Sequence, residues 1–234
     1  MESKYLQKTN LLNFDAPQIQ KVISEYGWRN MDVFHQIKGI YEFVQNDILF
    51  GYNEKDDIPA TEVLKDGVGQ CNTKAILLMA FFRALDIPCR FHAFEVDKKL
   101  QKGATSSIVT LLAPRRIVHT WAEVYYNKEW VALEGVITDK RYFEALKKKF
   151  NAVQGEFIGY GVATKDFRNH SIDWMGKDVY VQKEAIVYEY GIYASPDEFF
   201  AQNGQHLGKI KTWLFKNYGR YKMTKNVAKI RESY

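Results

Sequence analysis

A cysteine, a histidine and a glutamate carry the chemistry that this sequence suggests. Cys71 stands in "DGVGQCNTKAILLMAFFRAL", residues 66–85, where two glycines lead into a run that is apolar almost all the way round. The pattern predicts that Cys71 opens a helix. Unpaired N–H groups and aligned peptide dipoles at a helix N-terminus favour negative charge, and the thiolate is the nucleophilic form of cysteine. Gly67 and Gly69 permit a tight turn and close approach of a ligand to the backbone. The Cys71 N–H would then face an oxyanion forming on an attacked carbonyl. Taken singly, Cys71 also has a plain structural reading, as a small residue at the start of a core helix.

A nucleophile needs a base, and "VHTWAEVYYNKEWVALEG", residues 118–135, supplies one. Its alternation predicts two strands, 118–126 and 129–133, turning at Asn127-Lys128. In that register Tyr126 faces Glu129, Tyr125 faces Trp130, and Trp121 lies opposite Glu134. His119 is two residues from Trp121 on the same strand face, so Glu134 is its diagonal neighbour, roughly 7–8 Å away at the backbone. The register assumes no bulge in the turn. The carboxylate would hold the imidazole tautomer and stabilise imidazolium. A satisfied strand histidine and a surface ion pair are the ordinary readings of these two residues one at a time. The conjunction of thiol, imidazole and acid points to nucleophilic catalysis.

The elements that must position these groups follow from periodicity. Pro17 starts a short helix with Ile19, Val22 and Ile23. Asn30 is the expected cap of a stronger helix whose stripe is Phe34, Ile37, Tyr41, Val44 and Ile48. A polar loop, Gly51 to Pro59, and one turn at Thr61 to Leu64 precede the central helix, Asn72 to Leu85. Asp86-Ile87-Pro88 ends that helix. Cys89 to Val96 reads as a strand, Lys98 to Ser107 as a loop, and Arg141 to Phe150 as a helix. Gly155 to Gly176 reads as irregular. Ser195-Pro196-Asp197-Glu198 starts another helix. Helices, then strands, then helices predict an α+β fold rather than a βαβ series. The expected division is a core at 1–150 with N-terminal helices and an extension at 151–234 packed on it, together forming one structural domain.

The linked motifs match a known family. "GVGQCNTKAILLMAFFRALDIPCR" followed by "HTWAEVYYNKEWVALE" resembles the transglutaminase-like superfamily, which has a papain-like cysteine-protease fold. The resemblance covers roughly residues 35 to 140. It implies a nucleophile helix packed on an antiparallel sheet, with Cys71 as nucleophile, His119 as general base and acid, and Glu134 as third member. The family usually has aspartate at the last position, one methylene shorter. Such sites attack a carbonyl to form an acyl-enzyme. The implied activities are hydrolysis of a peptide or amide, with water the default acceptor, or acyl transfer to an amine. Some members have lost catalysis and act as binding or scaffold domains. Beyond the Cys71 N–H, a second oxyanion or substrate-binding group is open among Gln70, Trp121, Tyr52 and Trp28.

Composition sets the remaining bounds. The 234 residues are 46% hydrophobic and 15% aromatic, enough for a sizeable core and unlike a disordered chain. No apolar leader follows Met1, and the longest apolar run, Ala75 to Phe82, is too short to span a bilayer. Two cysteines make no disulfide framework, so a cytoplasmic protein with reduced thiols is expected. Net charge is +5, and residues 208–234 hold eight Lys/Arg against Glu232. That basic tail, with Trp213, Phe215, Tyr218 and Tyr221, could suit nucleic acid. The ordinary reading packs the aromatics on a core with lysines outward. A peptide, protein or small amide is the expected substrate. Cys89 and His92 form half a zinc pattern, but on a strand they face opposite ways, so no metal and no cofactor is expected. His35, His170 and His206 have no spaced partner and are expected to be surface or satisfied residues.

Overall fold

The computed structural model describes residues 3–105, 114–203 and 208–233. Its centre is the helix that the opening stretch predicts, α4, Cys71–Ala84, preceded by α1 (Pro17–Glu25), α2 (Val33–Asn46) and α3 (Ala60–Asp66). Every residue of α4 after Cys71 is buried. Ile76, Leu77, Leu78, Met79, Phe81 and Phe82 are shielded on all sides, each contributing about 1.5–3 kcal/mol by burial. Cys71 is half-buried at one end of this rod.

Local rules explain how the helix starts and its neighbours end. α3 stops at Gly67, whose φ of 63° is left-handed. A Cβ on Gly69 would sit 2.8 Å from Lys74 Cγ and 3.0 Å from Thr73 Oγ1, so the glycine lets the chain lie against the first turn. α2 is capped by Asp32, which accepts from the His35 N–H at 3.1 Å, and not by Asn30, which lies in a single 3-10 turn at Trp28–Asn30. The correction has a simple cause: Asp32 immediately precedes the first helical residue. Ile48, expected in the α2 stripe, falls beyond the helix and is buried on its own account.

Four antiparallel strands form the main sheet. They are β3 (Cys89–Asp97), β4 (Arg116–Tyr126), β5 (Glu129–Ala132) and β8 (Ile186–Tyr193), in the order β5-β4-β3-β8. The hairpin register is the one predicted, with Tyr126 on Glu129, Tyr125 on Trp130 and Glu123 on Ala132. Asn127 and Lys128 take φ of 48° and 69°, the left-handed pair that a two-residue hairpin turn requires. Phe91, Ala93, Ala122 and Val124 join α4 in the main core. β1 (Leu49–Phe50) and β2 (Val68–Gly69) make a short parallel pair that joins the start of α4 to the end of α2. The fold is α+β, with the nucleophile helix packed on an antiparallel sheet.

The C-terminal part departs most from expectation. Inside the stretch read as irregular, β6 (Phe157–Gly159) and β7 (Val162–Thr164) form a small hairpin. Of the loop expected at Lys98 to Ser107, Lys98–Gln101 is a 3-10 turn and Ser106 and Ser107 lie outside the described residues. α5 (Lys140–Lys149) is capped by Asp139, and α6 (Pro196–Gln202) by Ser195, as predicted. α7 (Lys209–Leu214), a π-helical turn at Phe215–Gly219 and α8 (Arg220–Glu232) end the chain. Trp213, Tyr218 and Tyr221 are exposed, contrary to the packing reading. The buried face of α8 is instead set by Met223, Val227 and Ile230, at spacings of four and three.

Arg231 fixes α8 to the body. Its guanidinium meets Asp139 with bonds of 2.6, 2.9 and 3.1 Å and donates to Phe50 O at 3.0 Å, all buried. Burial pushes the Asp139 carboxyl up, but the Arg231 hydrogen bonds and charge outweigh it and hold the pKa below its ordinary value. The stability from this pair is therefore present above the unfolded carboxylate pKa and is lost as pH falls through the lower folded value. Arg231→Met leaves an unpaired buried carboxylate. It is expected to cost about 3–5 kcal/mol, read by urea unfolding at neutral pH, with the deficit shrinking in acid.

Candidate active site

His119 and Glu134 meet by way of the hairpin. Glu134 lies two residues past the last paired position, Ala132, in a 3-10 turn, Glu134–Ile137, that follows β5. Its Oε1 is 2.6 Å from His119 Nε2, and neither side chain has any solvent exposure. The other oxygen, Oε2, accepts from the main-chain N–H groups of Val181 and Gln182 at 2.8 and 3.0 Å. A carboxylate can only accept, so Nε2 carries a proton, and Nδ1 is left for other work. Nδ1 is buried with no hydrogen-bond partner.

Cys71 and His119 line one cavity of about 740 Å³. Burial by itself drives an imidazole pKa down. Here the nearby Cys71, and after it the hydrogen bond and charge of Glu134, outweigh burial, and the His119 pKa rises from 6.5 to about 10. Cys71 and Glu134 thus both favour the charged form of the ring against its burial. By linkage, a raised histidine pKa adds stability that is complete below about 6.5 and fades as pH rises through about 10. Cys89 contrasts with Cys71. It is wholly buried at the start of β3, burial raises its thiol pKa, and its Sγ lies 3.6 Å from Met79 O.

Two residues that periodicity does not single out complete the arrangement. Asn72 follows the thiol on a buried helix face. Its Oδ1 accepts from Thr120 Oγ1 at 2.9 Å and lies 3.5 Å from Cys71 Sγ, and its Nδ2 is 3.4 Å from Val118 O. It ties the helix start to β4 beside His119. Thr73, Lys74 and Arg83 are also polar in this helix, so polarity alone does not single Asn72 out. Gln182 supplies an amide to Glu134 and lines the cavity, and its Nε2 donates to Gly161 O at 2.7 Å. Its role depends on contacts 21 and 48 residues away in the chain, for which no local pattern exists.

The candidates for a second oxyanion group fall in different places. Tyr52 is buried, lines the cavity, and feels Cys71: burial and then the charge of the sulfur push its phenol well above 10. It keeps its proton and can donate it in a hydrogen bond. The Tyr52 N–H is held by Thr224 Oγ1 at 2.9 Å. Gln70 also lines the cavity, but its amide braces the 53–56 loop, with Oε1 accepting from Asn53 N at 2.8 Å and Nε2 donating to Asp56 at 3.0 Å. Burial pushes the Asp56 carboxyl up, despite hydrogen bonds from Gln70 and Asn72. Trp121 packs edge-on to His119 at 5.8 Å and directs its N–H to Glu123 at 3.3 Å. Trp28 lies in the main core against Phe43 and Phe81.

The remaining histidines have ordinary surroundings. His92 sits between Glu123 and Glu189 at 2.6 and 2.8 Å, on the opposite side of β3 from Cys89. His35 pairs with Asp32, His170 Nε2 lies 2.5 Å from Tyr180 O, and His206 lies outside the described residues. Among the described residues no group of three or more His, Cys, Asp or Glu side chains could hold a metal ion, and no helix is long and apolar enough to cross a membrane.

A thiol at a helix start, an imidazole on a strand and an acid in the turn after the hairpin thus come together, and they lie in a segment that comparison of sequences assigns to a family. Residues 20–135 match the family model of the transglutaminase-like superfamily, and through this segment the chain belongs to that superfamily. Among solved structures, a protein from Cytophaga hutchinsonii named as a candidate cysteine protease aligns at 15% identity with a TM-score of 0.46. The alignment takes in 83% of this chain and 47% of that one, so this chain spans about half the length of that relative. No curated protein matches.

Imidazole NMR tests the electrostatics. His119 is expected to titrate with a midpoint near 10 in the unmodified protein. Glu134→Gln and Cys71→Ala should each lower the midpoint by about one unit or more. A midpoint near 6.5 in the unmodified protein contradicts the arrangement.

Proposed function

We propose that the protein is a cysteine-dependent acyl enzyme that hydrolyses a peptide or other amide bond through a thioester on Cys71. The observation that carries this reading is the buried His119, bound through Nε2 to Glu134 and leaving Nδ1 for the thiol. The Cys71 thiolate attacks the substrate carbonyl carbon, and the carbonyl electron pair moves onto oxygen. The Cys71 N–H, in a first turn that has no intrahelical acceptor, and the Tyr52 hydroxyl are the donors offered to that oxyanion. His119 gives its Nδ1 proton to the leaving nitrogen as the C–N bond breaks. Water then enters, His119 takes one of its protons, and the hydroxide attacks the thioester. Release of the acid returns the thiolate and the imidazolium. Glu134 fixes the ring and stabilises its charge.

The longer acid fits its position. Glu134 stands in a turn beyond the strand end and reaches back to a ring two residues short of the cross-strand position, and the extra methylene spans that offset. Acyl transfer to an amine uses the same first half-reaction, with an amine in place of water.

The test is mass detection of an acyl adduct on Cys71 with activated esters and peptide amides, paired with turnover. Cys71→Ala is expected to abolish adduct and turnover. His119→Ala and Glu134→Gln should each lower kcat by about a hundred-fold or more, and Glu134→Asp should fall between Glu134→Gln and the unmodified protein. Turnover that survives Cys71→Ala rules the reading out. Adduct without hydrolysis, discharged by added amines, would select transfer over hydrolysis.

A further inference from the structure

The cavity beside Cys71 is much larger than the carbonyl chemistry needs. Its volume of about 740 Å³ falls in the range of roughly 300–1,000 Å³ that holds a drug-sized ligand. The groups next to the sulfur are polar: Tyr52, Asn72, His119 and, at the start of the helix, Gln70. One strand step from His119 the lining changes character. Ile117 is on the same face of β4, about 7 Å along, and Val96 is its cross-strand partner. Leu100 packs with Val96 in a small apolar cluster and lines the same space. Phe50 joins through its contact with the Tyr52 ring, centroids 5.8 Å apart.

The rest of the apolar lining comes from the C-terminal segment. Met223 is buried and precedes Thr224, whose hydroxyl holds the Tyr52 N–H, so it is placed on the nucleophile side of the cavity. Phe215 is half-buried, packs against the core and lines the cavity from the π-helical turn. Of the charged residues on the lining, Glu54 pairs with Lys216, which lies outside it, at 3.0 Å, Lys55 pairs with Asp57 at 3.5 Å, Asp56 takes the Gln70 amide at 3.0 Å, and Lys222 is exposed. An occupant that extends from a carbonyl at Cys71 towards Ile117, Val96, Leu100, Phe215 and Met223 meets carbon.

We propose that the substrate presents an apolar acyl group of several carbons to this cavity, and that Phe215 and Met223 of the C-terminal segment form the wall that selects it. The proposal rests on the catalytic reading only for the position of the carbonyl. The wall lies outside residues 20–135, the segment the family model matches, so selectivity here is a property of this chain's own extension.

Binding and chemistry are tested separately. Titration calorimetry of the full chain carrying Cys71→Ala uses acetamide, butanamide and octanamide. Burial of each methylene is expected to tighten binding by roughly fourfold while the cavity fills, so octanamide should bind at least about tenfold tighter than butanamide. Phe215→Asp and Met223→Ala, each checked for folding by circular dichroism, should each weaken octanamide binding. Equal binding of butanamide and octanamide, or octanamide binding unmoved by both substitutions, overturns the proposal. The unmodified protein is then treated with the p-nitrophenyl esters of the same acids. An octanoyl adduct on Cys71 together with chain-length-independent amide binding leaves the catalytic reading standing and removes the pocket. Chain-length-dependent binding without any adduct supports the pocket and removes the catalytic reading.

Discussion

The rest of the structure depends on one buried contact, His119 Nε2 to Glu134 Oε1. A carboxylate stripped of water costs several kcal/mol unless its lone pairs are met. Glu134 meets that demand with the imidazole on one oxygen and the Val181 and Gln182 amides on the other. Those amides are in place because the chain at 178–182 runs alongside the end of β5. Val179 N donates to Ala132 O at 2.9 Å, Gly135 N donates to Val179 O at 3.0 Å, and Asp178 takes the Ala132 N–H at 2.8 Å. The hairpin register, the turn after β5 and this returning segment are all needed to meet the hydrogen-bonding demand of one buried carboxyl group. A substitution at any of the three acts on the imidazole.

Cys71 is held with comparable rigidity. α4 is buried along its length, and Lys74, one turn beyond Cys71, donates to Gln45 O and Val136 O. Val136 belongs to the turn that begins with Glu134, so a single side chain spans from the thiol's helix to the acid's turn. Burial pushes the Lys74 pKa down to about 7, the cost of enclosing an ammonium without a direct carboxylate contact. On the other side of the cavity, Thr224 and Arg231 of α8 hold the main chain at Tyr52 and Phe50. The C-terminal helix is therefore structural support for the cleft, whatever its basic surface does.

Legibility in the sequence followed locality. The helix at Cys71 was readable from its unbroken apolar run, and the hairpin from alternation around Asn127-Lys128. Together those two patterns were enough to bring His119 to Glu134 on paper, and the contact is there at 2.6 Å. Tyr52 was one name among several, because no spacing rule relates residue 52 to residue 71, and its place depends on Gln70, Asn53 and Thr224. The C-terminal part was least readable. β8 pairs with β3 across nearly a hundred residues, and its exposed Val187, Tyr188 and Ile192 blur the alternation that marks a half-buried strand. In the tail, Trp213, Tyr218 and Tyr221 are exposed, while Met223, Val227 and Ile230, with Phe215 beside them, do the packing.

The central claim is that Cys71 is an activated thiol because His119 and Glu134 are where they are. It is tested most directly by the rate of alkylation with iodoacetamide at pH 7, resolved by peptide mass into Cys71 and Cys89. The account predicts that Cys71 reacts at least about a hundred-fold faster than Cys89, and that His119→Ala removes most of that advantage while the protein stays folded. Equal rates at the two cysteines, or a Cys71 rate unmoved by His119→Ala, would contradict it.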